Sequence, residues 1–258
     1  MKISIIKKDR LYTVLSFALL LVIWKIISVI VNSAIIIPSP EITLVSLFNL
    51  IKTRDFFIII LFSLERGLIG FALSFVLGLL VGFAAGFNRV FNKIFEPFLV
   101  IIRSTPVITI ILIALIWFKA NNVPIFASFL MSFPIICTNV IEGIKNIDPQ
   151  LLEMAKIYRI KRTRVIKEIY LPSIIPFLTA AISTAFGIGW KVVVAAEVLS
   201  QPKYAIGSSL QNSKIYLNIN DVFAWTIVAI LIGYLFERLI RLIEKKSLKW
   251  KREYGAGY

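Results

Sequence analysis

Long apolar runs separated by short polar connections dominate the chain, at about 11–31, 63–87, 98–118, 123–141, 173–199 and 222–240. Each run is close to the ~20 residues a helix needs to cross a hydrocarbon core of ~30 Å. The pattern therefore predicts an all-α integral membrane protein with about six transmembrane helices, arranged as one membrane domain over 1–258. The first run is too long, and has too little of a small-residue cleavage site behind it, to read as a secretory signal, so it is expected to stay as an anchor. Between the first two runs, IIIPSPEITLVSLFNLIKTRDF carries prolines on both sides of Ser39. Ser39 or Glu41 is expected to open a short amphipathic helix, with Ile42, Val45, Leu47, Phe48 and Ile51 on its apolar side, lying along the membrane surface.

Composition supports this reading. Of 258 residues, 59% are hydrophobic, and mean hydropathy is +0.88. The net charge is +15, and its placement explains it. With the N-terminus inside, the inner segments 1–10, 88–97, 142–172 and 241–258 hold four, two, seven and six Lys or Arg, and the outer segments 32–62, 119–122 and 200–221 hold two, one and two. Cytoplasmic connections retain basic residues, so both termini are expected in the cytoplasm, and the charge requires no nucleic acid. With one cysteine, Cys137, and no histidine, disulfide frameworks, Cys/His zinc sites and Ser-His or Cys-His nucleophiles are excluded. The acidic residues are scattered, with no DxxD or HxxxE cluster to hold a catalytic metal, which argues against a membrane-embedded transferase.

Within the runs, Gly78, Gly82 and Gly86 recur every fourth residue and form a face on which a neighbouring helix can pack closely. Pro124 and Pro134 are expected to interrupt the fourth run, and GIGW at 187–190 to weaken the fifth, and such mid-membrane breaks are where transporters place their pathways. Four charges stand out: Lys25, Arg103, Lys191 and Glu197. Lys25 and Arg103 are close enough to a membrane surface to snorkel. Lys191 is near the centre of its run, where a charge must either bridge to a polar group on another helix or line a wet path. An intrahelical pair with Glu197 is not expected, because six residues place the two about 120° apart. Ser183, Thr184, Trp190, Lys191 and Glu197 are the candidate pathway residues. A cation at a narrow point would favour an anionic or electron-rich solute.

The segment 148–172 is too charged to span, and Pro172 is expected to end it where the fifth run begins. Asp148 can cap a helix, Pro149 suits its first turn, and Leu151, Ala155 and Tyr158 are expected on one face while Lys156, Arg159 and Lys161 point elsewhere. Its stretch EMAKIYRIKRTRVIKEIYLP resembles the EAA loop of ABC importer permeases, whose pattern is Glu-Ala-Ala, three residues, Gly, nine residues, Ile-x-Leu-Pro. Glu153, Met154 and Ala155 take the first three places, and Ile169, Leu171 and Pro172 fall in register at the far end. Met154 replaces an alanine, and Arg159 stands at the family's glycine. With Arg159 there, either the helix runs longer, or Arg159 takes the turn conformation itself and reaches an acidic partner. IPSPEITL, SLERGLIGF and GWKVVVAAEVLSQPKYAIGSSLQNSKIYLNINDVFA are similar to the branch named for nitrate, sulfonate, taurine or bicarbonate import.

That resemblance implies a type I ABC importer permease fold in a bacterial plasma (inner) membrane, two copies of the chain forming the pore, and an external solute-binding protein. It also implies two cytoplasmic ABC ATPase subunits, which would dock the segment containing Glu153, Met154, Ala155, Tyr158, Arg159, Arg162, Leu171 and Pro172. No GxxxxGK[ST] phosphate loop occurs, so ATP and Mg are expected on the ATPase partner, with no cofactor and no metal on this chain. The competing class is a secondary transporter or channel with no ATPase, which has no reason to keep the EAA-like spacing.

Overall fold

The computed structural model describes residues 2–247, so residues 248–258 of the basic C-terminal segment lie outside the described residues. Eleven α-helices and one π-helical turn make up the described chain, in the order α1 (Lys2–Val31), α2 (Pro40–Ile51), α3 (Phe56–Phe87), α4 (Arg89–Ser104), α5 (Val107–Trp117), α6 (Val123–Lys145), α7 (Pro149–Ile157), α8 (Arg162–Val165), the π-turn (Ile166–Tyr170), α9 (Leu171–Ser200), α10 (Ile206–Ile215) and α11 (Ile219–Ser247). Among the described residues, five stretches are long and apolar enough to cross a membrane: Tyr12–Val31, Phe56–Phe87, Val123–Lys145, Arg162–Ser200 and Ile219–Leu242. A sixth crossing exists only if α4 and α5 count together, and they meet at 98°.

The span expected over 98–118 falls on this bent pair. Thr105 is extended (φ −76°, ψ 127°) because it precedes Pro106, whose ring disfavours helical backbone at the residue before it. Conversely, the breaks expected in the fourth and fifth runs are absent. Pro124 sits in the first turn of α6, where its missing N–H costs nothing. Pro134 is inside α6 without ending it, and α9 runs unbroken through Gly187 and Gly189.

The core is a three-helix stack in which α6 is clasped between α3 and α9. Apolar burial supplies little drive between helices in lipid, so close backbone approach and hydrogen bonds must hold the stack. The glycine face of α3 serves that end: a Cβ at Gly78 would lie 2.9 Å from Ile136 and one at Gly82 2.8 Å from the Val140 Cβ. Ser74 adds a hydrogen bond across the same seam, its hydroxyl donating to the Phe129 carbonyl at 3.0 Å. On the far side of α9, Phe186 and Trp190 join Trp225, Val228 and Ile232 of α11 in a buried cluster closed by Phe56 and Ile206.

α2 forms as the sequence predicts. The Ser39 hydroxyl accepts the Ile42 N–H at 3.4 Å, and Pro40 follows in the first turn. Lys25 does not simply reach for the surface: its ammonium donates to Glu41 at 2.9 Å, tying α1 to α2. That hydrogen bond is the main cause holding the Glu41 carboxyl well below the usual range, at about 2. Trp24 adds a second tie, its indole N–H donating to the Pro38 carbonyl at 3.0 Å.

Candidate functional site

The EAA-like segment is a helix, a tight reversal and a second helix. Asp148 accepts the Gln150 N–H at 2.9 Å and caps α7, with Pro149 next. At its other end, the Ile160 N–H donates to the Ala155 carbonyl at 2.9 Å and the Arg159 N–H to the Lys156 carbonyl at 3.1 Å. These two bonds constitute a Schellman motif, which requires a left-handed residue just past the helix. That residue is Arg159, with φ 49°. The turn is therefore kept despite the missing glycine, and the guanidinium is exposed.

The apolar face of α7 differs from the expected one. Ala155 is buried, whereas Leu151, Met154, Ile157 and Tyr158 are exposed, the last two at 77% and 75%. Rotation of α7 to bury Ala155 turns Met154 and Ile157 outward, in the place expected for Ala155. Glu153 and Arg162 are exposed, and neither makes an ion pair among the described residues. Pro172 does not end the segment. It lacks an N–H for the carbonyl one turn back, and the ladder slips by one residue, so that the Leu171 N–H bonds to the Ile166 carbonyl. The π-turn thereby joins α8 to α9 as one continuous rod, Arg162–Ser200.

Four of the five candidate pathway residues meet in one place. Ser183, Thr184, Trp190 and Lys191 line a groove of about 740 Å³ between α9 and α11. Thr184, Gly187 and Lys191 follow one another at three- and four-residue intervals and share a face of α9. Trp190 forms a fixed wall, its indole N–H donating to the Ala229 carbonyl at 3.0 Å. Lys191 is exposed and makes no hydrogen bond or ion pair among the described residues. Gly189, on the opposite face, has a packing role: a Cβ there would lie 2.7 Å from the Ser132 hydroxyl of α6.

Glu197, the fifth candidate, does not line the groove. It is wholly buried, bonded to the Arg66 guanidinium at 3.0 Å, the Ser63 hydroxyl at 2.9 Å and the Gly207 N–H at 3.1 Å. Arg66 also donates to the Tyr204 carbonyl at 2.8 Å and to Asn121 at 3.1 Å. This knot pins α3, α9, α10 and the loop before α6 together. Sequence reasoning missed Arg66, although it lies inside the second apolar run. The rule that a carboxylate in a span needs a partner would have pointed to it. Arg103 faces a smaller polar crevice of about 330 Å³ between α4 and α6, shared with Glu96, Asn139, Glu142 and Lys145.

A continuous rod that links an exposed apolar lever to a groove with a free cation, in an all-helical chain with five or six spans, defines a polytopic membrane transport component. A family model described as "Binding-protein-dependent transport system inner membrane component" matches residues 74–249. The chain belongs to that family, and is a multi-pass inner-membrane permease component of an ABC importer, which as such works with an ATPase and a solute-binding protein. It is 29% identical to the Bacillus subtilis protein named aliphatic sulfonates transport permease protein SsuC, over 92% of this chain and 86% of that one. It is 24% identical to the bicarbonate transport system permease protein CmpB of Synechococcus elongatus, over 89% and 86%. A chain of the MetNI methionine ABC transporter, solved in inward-facing conformations, shares the fold with a TM-score of 0.62 at 15% identity, over 72% of this chain and 93% of that one.

Proposed function

We propose that two copies of this chain form the pathway for a small anionic solute of the nitrate, sulfonate or taurine, or bicarbonate kind, and that α7 docks on a cytoplasmic ABC ATPase. The observation that carries the solute class is Lys191, a cation in a membrane groove with no counter-ion of its own. A desolvated charge is costly, and an anion passing beside it offsets that cost, while a cation would increase it. The names of the relatives, for sulfonates and bicarbonate, point the same way.

The coupling proposal rests on the exposed face of Leu151, Met154, Ile157 and Tyr158. These side chains enter a groove on the ATPase, and Arg159 and Arg162 pair with carboxylates at its rim for about 0–1 kcal/mol each. Glu153 faces the ATPase with them, and Ala155, Leu171 and Pro172 hold the lever in shape. Two ATPase copies bind ATP and Mg on the cytoplasmic side, where both termini of this chain lie, and a binding protein delivers solute from the other side. ATP-driven closure of the ATPase pair moves the two levers together and is transmitted along the rod into α9.

The test is ATP-dependent uptake by the complete importer in proteoliposomes, together with its ATPase activity. Lys191→Gln lowers uptake of the anionic solute while Lys191→Arg retains it. The swap Glu153→Lys with Arg162→Glu leaves ATP hydrolysis running without uptake. Unchanged uptake in Lys191→Gln refutes the solute class, and intact coupling in the swap places the docking helix elsewhere.

A further inference from the structure

We infer that the groove between α9 and α11 selects organic anions with an apolar body over small inorganic oxyanions, with Lys191 taking the anionic head and the space over Gly187 taking the body. This deepens the pathway reading of the same groove and rests on it.

Three observations converge. First, a Cβ built on Gly187 meets nothing within 4 Å. In a chain whose other glycines in α3, α6, α9 and α11 all abut neighbours, Gly187 stands over open space, one turn from Lys191 on the same face. Second, about 740 Å³ falls in the range of pockets that hold organic ligands, roughly 300–1,000 Å³, and its lining includes Ile188, Val194 and Ile230. Third, three of the side-chain hydrogen-bond donors that line it are already engaged. Thr184 donates to the Ala180 carbonyl at 3.0 Å and Thr226 to the Val222 carbonyl at 2.7 Å. The Trp190 indole N–H is spent on Ala229, while the Tyr234 hydroxyl, which accepts from Arg238 at 3.0 Å, and the Ser183 hydroxyl keep their own O–H groups.

An inorganic oxyanion presents acceptors on every side and loses its water when it enters, so it needs donors all round. Here the Lys191 ammonium stands on α9 with Ile188 and Val194, and the Ser183 hydroxyl lies about 12 Å further along the same helix, too far for a small oxyanion to meet both. An anion with a single charged end needs donors at that end only, and its hydrocarbon part gains from leaving water. Glu237, which also lines the groove, is paired with Arg241, so it does not cancel the charge of Lys191.

Thiol reactivity in the assembled importer tests this whatever the solute is. Cys137 is fully buried, so Gly187→Cys is made in a Cys137→Ser background and adduct formation on this chain is followed by mass. The probes are sulfonatoethyl methanethiosulfonate, its trimethylammonium counterpart, and a sulfonate reagent with a longer hydrocarbon spacer. We expect the short anionic probe to outpace the cationic one by about fivefold or more relative to a free thiol, as one nearby unit charge can produce, and Lys191→Gln to erase that preference. The longer sulfonate should react at least as fast as the short one. Thr184→Cys, one turn away on the same face, provides the same readout if Gly187→Cys does not assemble. No charge preference, a longer probe slower by about tenfold, or no reaction at either position would overturn the inference. Loss of uptake in Lys191→Gln together with any of these outcomes would leave the pathway reading standing and remove only the selection.

Discussion

Replacing Arg159 with glycine should tighten the lever that ends α7. Arg159 has φ 49°, and a side chain in the left-handed region costs roughly 1–2 kcal/mol from the crowding of its Cβ against the following carbonyl. Glycine removes that cost but gives back about 0.4–1 kcal/mol through the extra freedom of the unfolded chain. The net gain for Arg159→Gly is about 0.5–1 kcal/mol, a factor of about two to five in the local opening equilibrium. Amide exchange at Arg159 and Ile160 reads it directly, because their N–H groups close the turn onto Lys156 and Ala155 and exchange only when it opens. Hydrogen–deuterium exchange on the purified importer should show these amides slowed about two- to fivefold in Arg159→Gly and not slowed in Arg159→Ala, which keeps the Cβ and loses the charge. Equal slowing in both would trace the effect to charge, and faster exchange in Arg159→Gly would refute the strain argument.

Two further variants probe the bundle. Glu197→Leu leaves Arg66 buried without a counter-charge, an imbalance of about 3–5 kcal/mol. Thermal unfolding in detergent should shift sharply downward, and Arg66→Met combined with Glu197→Leu should recover most of the loss; a single variant as stable as wild type would show that the knot is dispensable. Gly82→Leu drives a side chain into Val140 across the α3–α6 seam, 2.8 Å from the first added carbon. It should cost at least the ~1–3 kcal/mol of ordinary overpacking, while Gly187→Leu, facing open space, leaves the melting temperature within a few degrees.

Residues governed by a local rule were legible in the chain itself. Ser39, Asp148 and Pro149 mark helix starts because capping and proline chemistry act within one turn, and Gly78, Gly82 and Gly86 mark a packing face because their spacing is that of a helix. The groove was partly legible: Thr184 and Lys191 share a helical face, so their meeting follows from periodicity. The sequence also carried the EAA-like register, and with it the position of the turn at Arg159.

What the tertiary structure alone decided depends on a second element. Glu197 reads as a pathway candidate in isolation, but its role was settled by Arg66, 131 residues away, because a buried carboxylate is defined by the charge it meets. Pro134 and Pro172 read as breaks, but packing against α3 and α9 in one case and a one-residue slip of the hydrogen-bond ladder in the other kept their helices running. Thr105 and Pro106, unremarkable within an apolar run, became a 98° bend between α4 and α5. Gly187 and Gly189 are two residues apart and chemically identical. Ser132 beside Gly189 makes it a packing contact and empty space beside Gly187 makes it an opening, because a glycine's meaning lies in what its absent side chain would have touched.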